Sequence, residues 1–105
     1  MAKTPEAKVK EQVTKILKEY DVYYFFPVQM GMGRSGIPDI ICCVDGNFLA
    51  IECKANGNKP TPLQVRELTA IQNNLGIALV IDEHSLTIVR DTLEELKGKN
   101  ERRIL

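Results

Sequence analysis

The sequence predicts an α/β fold in which helices flank a mixed sheet, with the elements in the order helix, three strands, helix, strand (αβββαβ). Three observations lead to this expectation. Apolar residues recur at helical spacing near the N-terminus. The stretches 37–44 and 48–54 read as strands, and the Asp45-Gly46-Asn47 turn between them is typical of an antiparallel hairpin. A second helix start then leads to the apolar run 77–81, as expected for a strand entered through a helical crossover.

Both predicted helices begin with a Thr-Pro pair. Thr4 and Thr61 can each cap the free N–H groups of a first turn, and a proline suits the first helical position. The apolar stripe of the first helix comprises Val9, Val13, Ile16, Leu17 and Tyr20. Glu6 falls on the same stripe, three residues before Val9, where a carboxylate needs a partner. The simpler interpretation of Glu6 is a first-turn acid that stabilises the helix dipole.

The remaining elements are predicted from β-rich and polar stretches. A first strand is expected at 22–28, and its proline suggests an edge or a bulge. The glycine-rich segment 31–36 reads as a loop. The run 77–81 predicts a strand buried on both faces, followed by a short edge strand at 86–90 and a short helix from Thr92 to Lys97. We expect a single domain over 1–105, with a charged tail at about 98–105.

The composition narrows the class of protein. With 14 basic and 14 acidic residues the formal charge is zero, which argues against a protein that grips phosphates over its whole surface. The three cysteines, Cys42, Cys43 and Cys53, form no CxxC pair, so we expect buried thiols rather than a zinc site. No hydrophobic signal region or membrane-length apolar run is present, so we expect a cytoplasmic protein that does not contact the membrane.

Three charged residues stand at the ends of two apolar strands. Asp39 precedes Ile-Ile-Cys-Cys-Val, while Glu52 and Lys54 follow Phe-Leu-Ala-Ile and share one face of their strand. The hairpin turn brings Asp39 beside Glu52. Two adjacent carboxylates favour a cation or a shared proton, and Mg²⁺ or Mn²⁺ prefers oxygen ligands. A lysine beside them can orient a water and stabilise developing negative charge, as the hydrolysis of a phosphodiester requires. Each charge alone is equally consistent with a solvated strand end.

These residues resemble the PD-(D/E)xK nuclease signature, here Pro38-Asp39 followed by Glu52-Cys53-Lys54. More narrowly, the chain resembles a stand-alone VRR-Nuc domain, the virus-type replication-repair nuclease. The resemblance rests on Gly36-Ile37-Pro38-Asp39, on the Glu-x-Lys after the hairpin, on Thr61-Pro62-Leu63-Gln64, and on Glu6. It covers roughly residues 4 to 97 and implies a restriction-endonuclease-like core.

The resemblance also implies roles for individual residues. Asp39, Glu52 and the backbone carbonyl of Cys53 are the expected ligands of Mg²⁺ or Mn²⁺, and Glu6 reaches the metal directly or through water. Lys54 is the expected catalytic lysine. Gln64 positions the lysine, a water or the phosphate; otherwise it is an ordinary polar residue at a helix start. The implied activity is a metal-dependent DNA endonuclease, selective for branched DNA such as Holliday junctions or flaps and acting as a homodimer. A phage or mobile-element origin is also implied, with the host cytoplasm as the location.

Several residues and activities remain open at this level. Arg34, Lys59 and Arg66 are candidate DNA phosphate contacts, or else solvated surface charges. Tyr23 and Tyr24 are expected to pack rather than to stack on bases. His84 falls in a polar turn, so a catalytic role is not expected. The alternatives to an endonuclease are a non-catalytic DNA-binding module with the nuclease fold, and a metal-dependent phosphohydrolase acting on RNA or nucleotides.

Overall fold

A computed structural model describes residues 3–28 and 34–98. The secondary structure begins with α1 (Pro5–Glu19), β1 (Tyr23–Phe25), β2 (Ile40–Val44) and β3 (Asn47–Cys53). It continues with α2 (Pro62–Asn73), β4 (Ile77–Ile81) and α3 (Leu86–Leu96). The predicted αβββαβ order is confirmed, and α3 follows it. In these two described ranges, no helix is long and apolar enough to cross a membrane.

The four strands form one mixed sheet in the order β1-β2-β3-β4. The first three strands are antiparallel neighbours, and β4 lies parallel to β3, as the helical crossover predicts. The β2–β3 hairpin closes over Asp45 and Gly46, whose φ angles are 47° and 89°. These two left-handed residues between the paired Val44 and Asn47 are typical of a type I′ turn.

The helix starts follow the predicted capping chemistry. Thr4 Oγ1 accepts a hydrogen bond from the Ala7 N–H at 3.1 Å, and Pro5 occupies the first helical position. At α2, Thr61 Oγ1 accepts from the Gln64 N–H, and the Gln64 side chain accepts from the Thr61 N–H. This reciprocal capping box fixes where α2 begins and where Gln64 lies.

The main core lies between one face of the sheet and the pair α1 and α3. Leu49, Ile51 and Cys53 of β3 contribute to it, and their side chains are fully buried. The alternate residues of β3, Phe48, Ala50 and Glu52, point to the opposite face. There α2 packs against β4, whereas the side chains of Tyr23 and Phe25 in β1 remain exposed on that face. The sheet therefore has one fully covered face and one that is half covered.

The structure corrects the prediction for the C-terminal part. The expected strand at 86–90 and the expected helix from Thr92 to Lys97 are one continuous helix, α3. Its β-branched residues resemble a strand locally, but Val89 and Leu93 lie one helical turn apart and are both fully buried. Tertiary burial of this stripe decides the conformation.

Two expectations about burial are also wrong. The strand β4 is an edge strand rather than one buried on both faces, and Val80 is 43% exposed. Cys42 and Cys53 are buried as expected, but Cys43 is exposed because it points to the uncovered part of the sheet. The first strand covers only Tyr23–Phe25 of the predicted 22–28, and β2 begins at Ile40 rather than at 37.

Candidate active site

The hairpin brings Asp39 and Glu52 together at one end of the sheet. Ile40 pairs with Ile51, so Asp39 lies beside Glu52 just beyond the first pair of β2. Asp39 is held there because its Oδ2 accepts a hydrogen bond of 2.8 Å from the backbone N–H of Cys53. The charge of Asp39 is close enough to raise the pKa of Glu52. The two carboxylates therefore form one electrostatic site.

Glu52 is the most buried acid of this site, since its side chain is only 2% exposed. Burial, helped by the charge of Asp39 and opposed by Lys54, raises the pKa of Glu52 to about 7. Its Oε2 accepts a 2.8 Å hydrogen bond from Gln64 Nε2 and lies 3.5 Å from Lys54 Nζ. Its Oε1 is buried without a hydrogen-bond partner among the described residues. The Oε1 atom of Glu52 is therefore a buried carboxylate oxygen to which none of the described residues donates a hydrogen bond.

Lys54 lies between two acids. Its Nζ is 3.5 Å from Glu52 Oε2 and 3.9 Å from Glu6 Oε1, and its side chain is 11% exposed. Glu6 itself is half exposed, and its partner is Lys54. The buried residues of α1 begin at Val9, one turn later, because the first turn lies outside the packed part of the helix.

Gln64 belongs to both the helix cap and the site. Its Oε1 accepts from the Thr61 N–H at 2.9 Å, and its Nε2 donates to Glu52 Oε2 at 2.8 Å. These two bonds fix which end of the amide points at the carboxylate. The two interpretations of Gln64, helix-start residue and site residue, therefore describe the same side chain.

The carboxylates of Asp39 and Glu52 are suitable ligands for a hard divalent cation, although they are only two. Two carboxylates meet beside a buried oxygen that no donor satisfies, and such oxygens are preferred ligands of Mg²⁺ and Mn²⁺. The Cys53 thiol is no candidate ligand, because burial first and then nearby acids raise its pKa to about 12. Over residues 3–28 and 34–98, no group of three or more His, Cys, Asp or Glu side chains is placed to hold a metal. The carboxylate of Glu6 thus lies with Lys54 rather than in a three-acid cluster.

A partly buried ion pair that was not predicted from the sequence lies beside the site. Glu67, one turn after Gln64, is 8% exposed, and its Oε2 accepts from Arg34 Nη2 at 2.9 Å. Arg66 Nε lies 3.9 Å from the same oxygen. The signal was available in the sequence, because Glu67 lies four residues from both Leu63 and Ile71 and so on the apolar stripe of α2.

A cleft of about 530 Å³ opens between α2 and the β2–β3 hairpin. Arg34 and Glu67 lie in its wall, together with Pro38, the neighbour of Asp39. Phe48 and Ile71 contribute apolar surface. Two of the predicted DNA-contact residues, Arg34 and Arg66, are thus joined to this region through Glu67. For Lys59 the structure shows an exposed position in the loop before α2.

The other predicted features lie away from the acids. Tyr23 is 69% exposed, against expectation, whereas Tyr24 packs against the core as expected. His84 is exposed in the turn between β4 and α3. Of the predicted glycine-rich loop, residues 31–33 lie outside the described ranges. The charged tail likewise lies outside them, except for Gly98.

Comparison with known proteins finds similarity to a phage protein and to a solved structure. No family model matches the chain. The chain is 32% identical over 81 residues to the protein called "Putative nuclease p44" of Acyrthosiphon pisum secondary endosymbiont phage 1. The aligned stretch covers 76% of this chain and 84% of that protein. A solved structure described as "VRR_NUC domain" superposes with a TM-score of 0.70 at 22% identity, covering 88% of this chain and 97% of the other.

Proposed function

This chain belongs to the VRR-Nuc family of nucleases, and we propose that it is a Mg²⁺- or Mn²⁺-dependent endonuclease that hydrolyses phosphodiester bonds of branched DNA. The observation that carries the metal dependence is the unsatisfied Oε1 of Glu52, buried beside Asp39. A buried anionic oxygen without a donor is costly unless a cation or a proton compensates it. The proposed metal ligands are Asp39, Glu52 and the backbone carbonyl of Cys53.

A bound divalent ion would polarise the phosphodiester and lower the pKa of a water molecule. The protein side chains prepare the site for this chemistry. Lys54, held between Glu52 and Glu6, orients a water and stabilises the negative charge that develops on the phosphate. Glu6 keeps the ammonium group from turning away from the site. Gln64 holds Glu52 by a hydrogen bond to Oε2, which leaves Oε1 without a donor and able to bind the metal.

DNA phosphates are proposed to bind at the basic residues next to α2. Arg34 and Arg66 share the buried carboxylate of Glu67, so their guanidinium groups are partly oriented before DNA arrives. Both side chains are more than 60% exposed and keep further N–H donors for phosphate oxygens. Lys59 extends this basic edge. Local contacts of this kind are compatible with a formal charge of zero.

We also propose that the chain acts as a homodimer, because two active sites are needed to cut two strands of a junction. The uncovered half of the sheet supports this. Tyr23 and Phe25 of β1 are 69% and 48% exposed on one face of the sheet, and Phe48, which also lines the cleft beside α2, is 48% exposed on the same face. Exposed aromatic residues on one face suit the centre of an interface that buries about 800 Å² per partner. A monomer by light scattering at micromolar concentration, alone and with DNA, would contradict the dimer.

The activity is tested by mixing the protein with a four-way junction, a flap and a linear duplex, with EDTA or with Mn²⁺. We expect cleavage only with metal and fastest on branched DNA. Lys54→Ala should abolish cleavage, whereas Lys15→Ala, which removes an exposed lysine of α1, should not. Binding without cleavage under any divalent metal would favour the non-catalytic DNA-binding module. Faster hydrolysis of RNA or nucleotides would favour the phosphohydrolase.

A further inference from the structure

Gly36 lies against the first turn of α2, although it precedes that helix by some 25 residues. A Cβ atom at Gly36 would come within 2.6 Å of both the carbonyl carbon and the oxygen of Leu63, and within 2.8 Å of the Gln64 nitrogen. The contact is therefore with the peptide group that joins Leu63 to Gln64. Backbone atoms of a capped helix cannot turn aside as a side-chain end can.

The same peptide group carries the side chain that holds Glu52. Gln64 is fixed at one end by the Thr61 N–H and donates at the other end to Glu52 Oε2. Gly36 also stands three residues before Asp39, which the Cys53 N–H holds beside Glu52. The segment 34–39 and the first turn of α2 thus contact each other, and each carries a residue of the site: Asp39 in the segment and Gln64 in the helix.

We propose that Gly36 is a positioning residue for the nuclease site. Because Gly36 has no side chain, the 34–39 segment can pack against the Leu63–Gln64 peptide, and this contact determines where the Gln64 amide meets Glu52. Only the expected effect of Gly36 on the cleavage rate rests on the proposed nuclease function. A side chain at position 36 would move the Leu63–Gln64 peptide by roughly 0.8 Å to restore an ordinary contact of 3.4 Å. A displacement of that size at a catalytic group can lower the rate by about 100-fold.

The chain offers a matched control for the backbone conformation. Gly36 has a φ of +80° and Gly57 a φ of +76°, so alanine is strained equally at both positions. A Cβ at Gly57 meets nothing within 4 Å. The difference between Gly36→Ala and Gly57→Ala therefore isolates the contact with α2 from the cost of a left-handed backbone.

The first measurement is independent of activity. In ¹⁵N-labelled protein, we expect the Gln64 side-chain amide resonances to shift in Gly36→Ala and to stay in place in Gly57→Ala. The wild type should show nuclear Overhauser contacts between the Gly36 Hα protons and the Gln64 amide proton. Absence of these contacts overturns the proposal even if Gly36→Ala does not fold, and so does an unshifted Gln64 resonance in a folded variant.

The second measurement is the single-turnover cleavage rate with Mn²⁺. We expect a loss of between 10- and 100-fold for Gly36→Ala and of less than 3-fold for Gly57→Ala. If Gly36 acts through Gln64, its substitution should cost little more in a Gln64→Ala background. Additive losses, or equal losses for the two glycines, overturn the proposal. A wild type that never cuts while the Gln64 resonances behave as expected removes the proposed function and leaves the positioning of Gln64 intact.

Discussion

Replacing Glu52 by glutamine should make the metal-free protein more stable above neutral pH. Burial raises the pKa of Glu52 from 4.5 to about 7. Below pH 4.5 the carboxyl group is protonated in the folded and unfolded chains alike. Between pH 4.5 and 7 the unfolded chain ionises first, so stability falls as pH rises, and the whole penalty is present above pH 7. The shift corresponds to about 3 kcal/mol of unfolding free energy.

Glutamine keeps an oxygen that can accept from Gln64 but carries no charge. Glu52→Gln in EDTA at pH 8 should therefore gain up to about 3 kcal/mol, and at pH 4.5 it should gain little. Thermal and urea unfolding at the two pH values measure the difference. Glu19→Gln is the control, because the hydrogen bond of Glu19 with Arg90 outweighs the effect of burial and lowers the pKa of that carboxyl group.

Equal stability of Glu52→Gln and the wild type at pH 8 in EDTA would refute this account of the buried charge. Adding Mn²⁺ gives a second check. The metal should stabilise the wild type in proportion to its concentration and should stabilise Glu52→Gln far less, since one of the two carboxylates is gone. Equal stabilisation of both proteins would show that the ion binds elsewhere.

Three further predictions test separate contacts. Gln64→Ala removes the Oε1 that accepts from the Thr61 N–H and the Nε2 that donates to Glu52, so we expect a loss of about 1 kcal/mol in urea unfolding, together with slower cleavage. Arg34→Ala leaves the buried Glu67 with only Arg66, at 3.9 Å, as an ion-pair partner. We therefore expect the free energy of unfolding to fall by about 1–3 kcal/mol and junction binding, measured by fluorescence anisotropy, to weaken. Cys43 is exposed and should react quickly with a maleimide, whereas Cys42 and Cys53 should not, because burial raises the pKa of both of these thiols to about 12. Mass spectrometry counts the modified thiols, and modification of more than one in the folded protein would contradict this prediction.

Local chemistry made most of the fold predictable. The Thr-Pro helix starts, the Asp45-Gly46 turn and the apolar stripe of α1 depend on residues close in sequence, and each lies where expected. The end of the chain was not predictable in this way. The stretch 86–90 fits a strand locally, and only packing of Val89 and Leu93 against the core makes it helical. The burial of β4 likewise depends on its being the last strand of the sheet, which its own composition does not encode.

The site was predictable where it depends on strand pairing. The hairpin pairing of β2 with β3 places Glu52 beside Asp39, and this pairing follows from the turn at Asp45-Gly46. Contacts between distant segments were not visible. The ion pair of Arg34 with Glu67 joins residues 33 positions apart, and the contact of Gly36 with α2 depends on how the loop docks. The exposure of Glu6 was also not predictable, because helical periodicity does not say which turns of a helix are packed.

The burial of Glu52 would link the stability of this protein to the proposed metal ion. A domain of this size has a total unfolding free energy of only about 5–15 kcal/mol, so a charge that costs about 3 kcal/mol is a large fraction of it. Folding alone would favour an apolar residue at this position of β3, whose other face is fully buried. If the proposed divalent ion binds at the unsatisfied Oε1, it would remove the penalty only in the folded chain, because only there are Asp39 and Glu52 adjacent. The metal-free protein should therefore be the less stable form at neutral pH, and the ion should act as a folding ligand as well as the proposed cofactor.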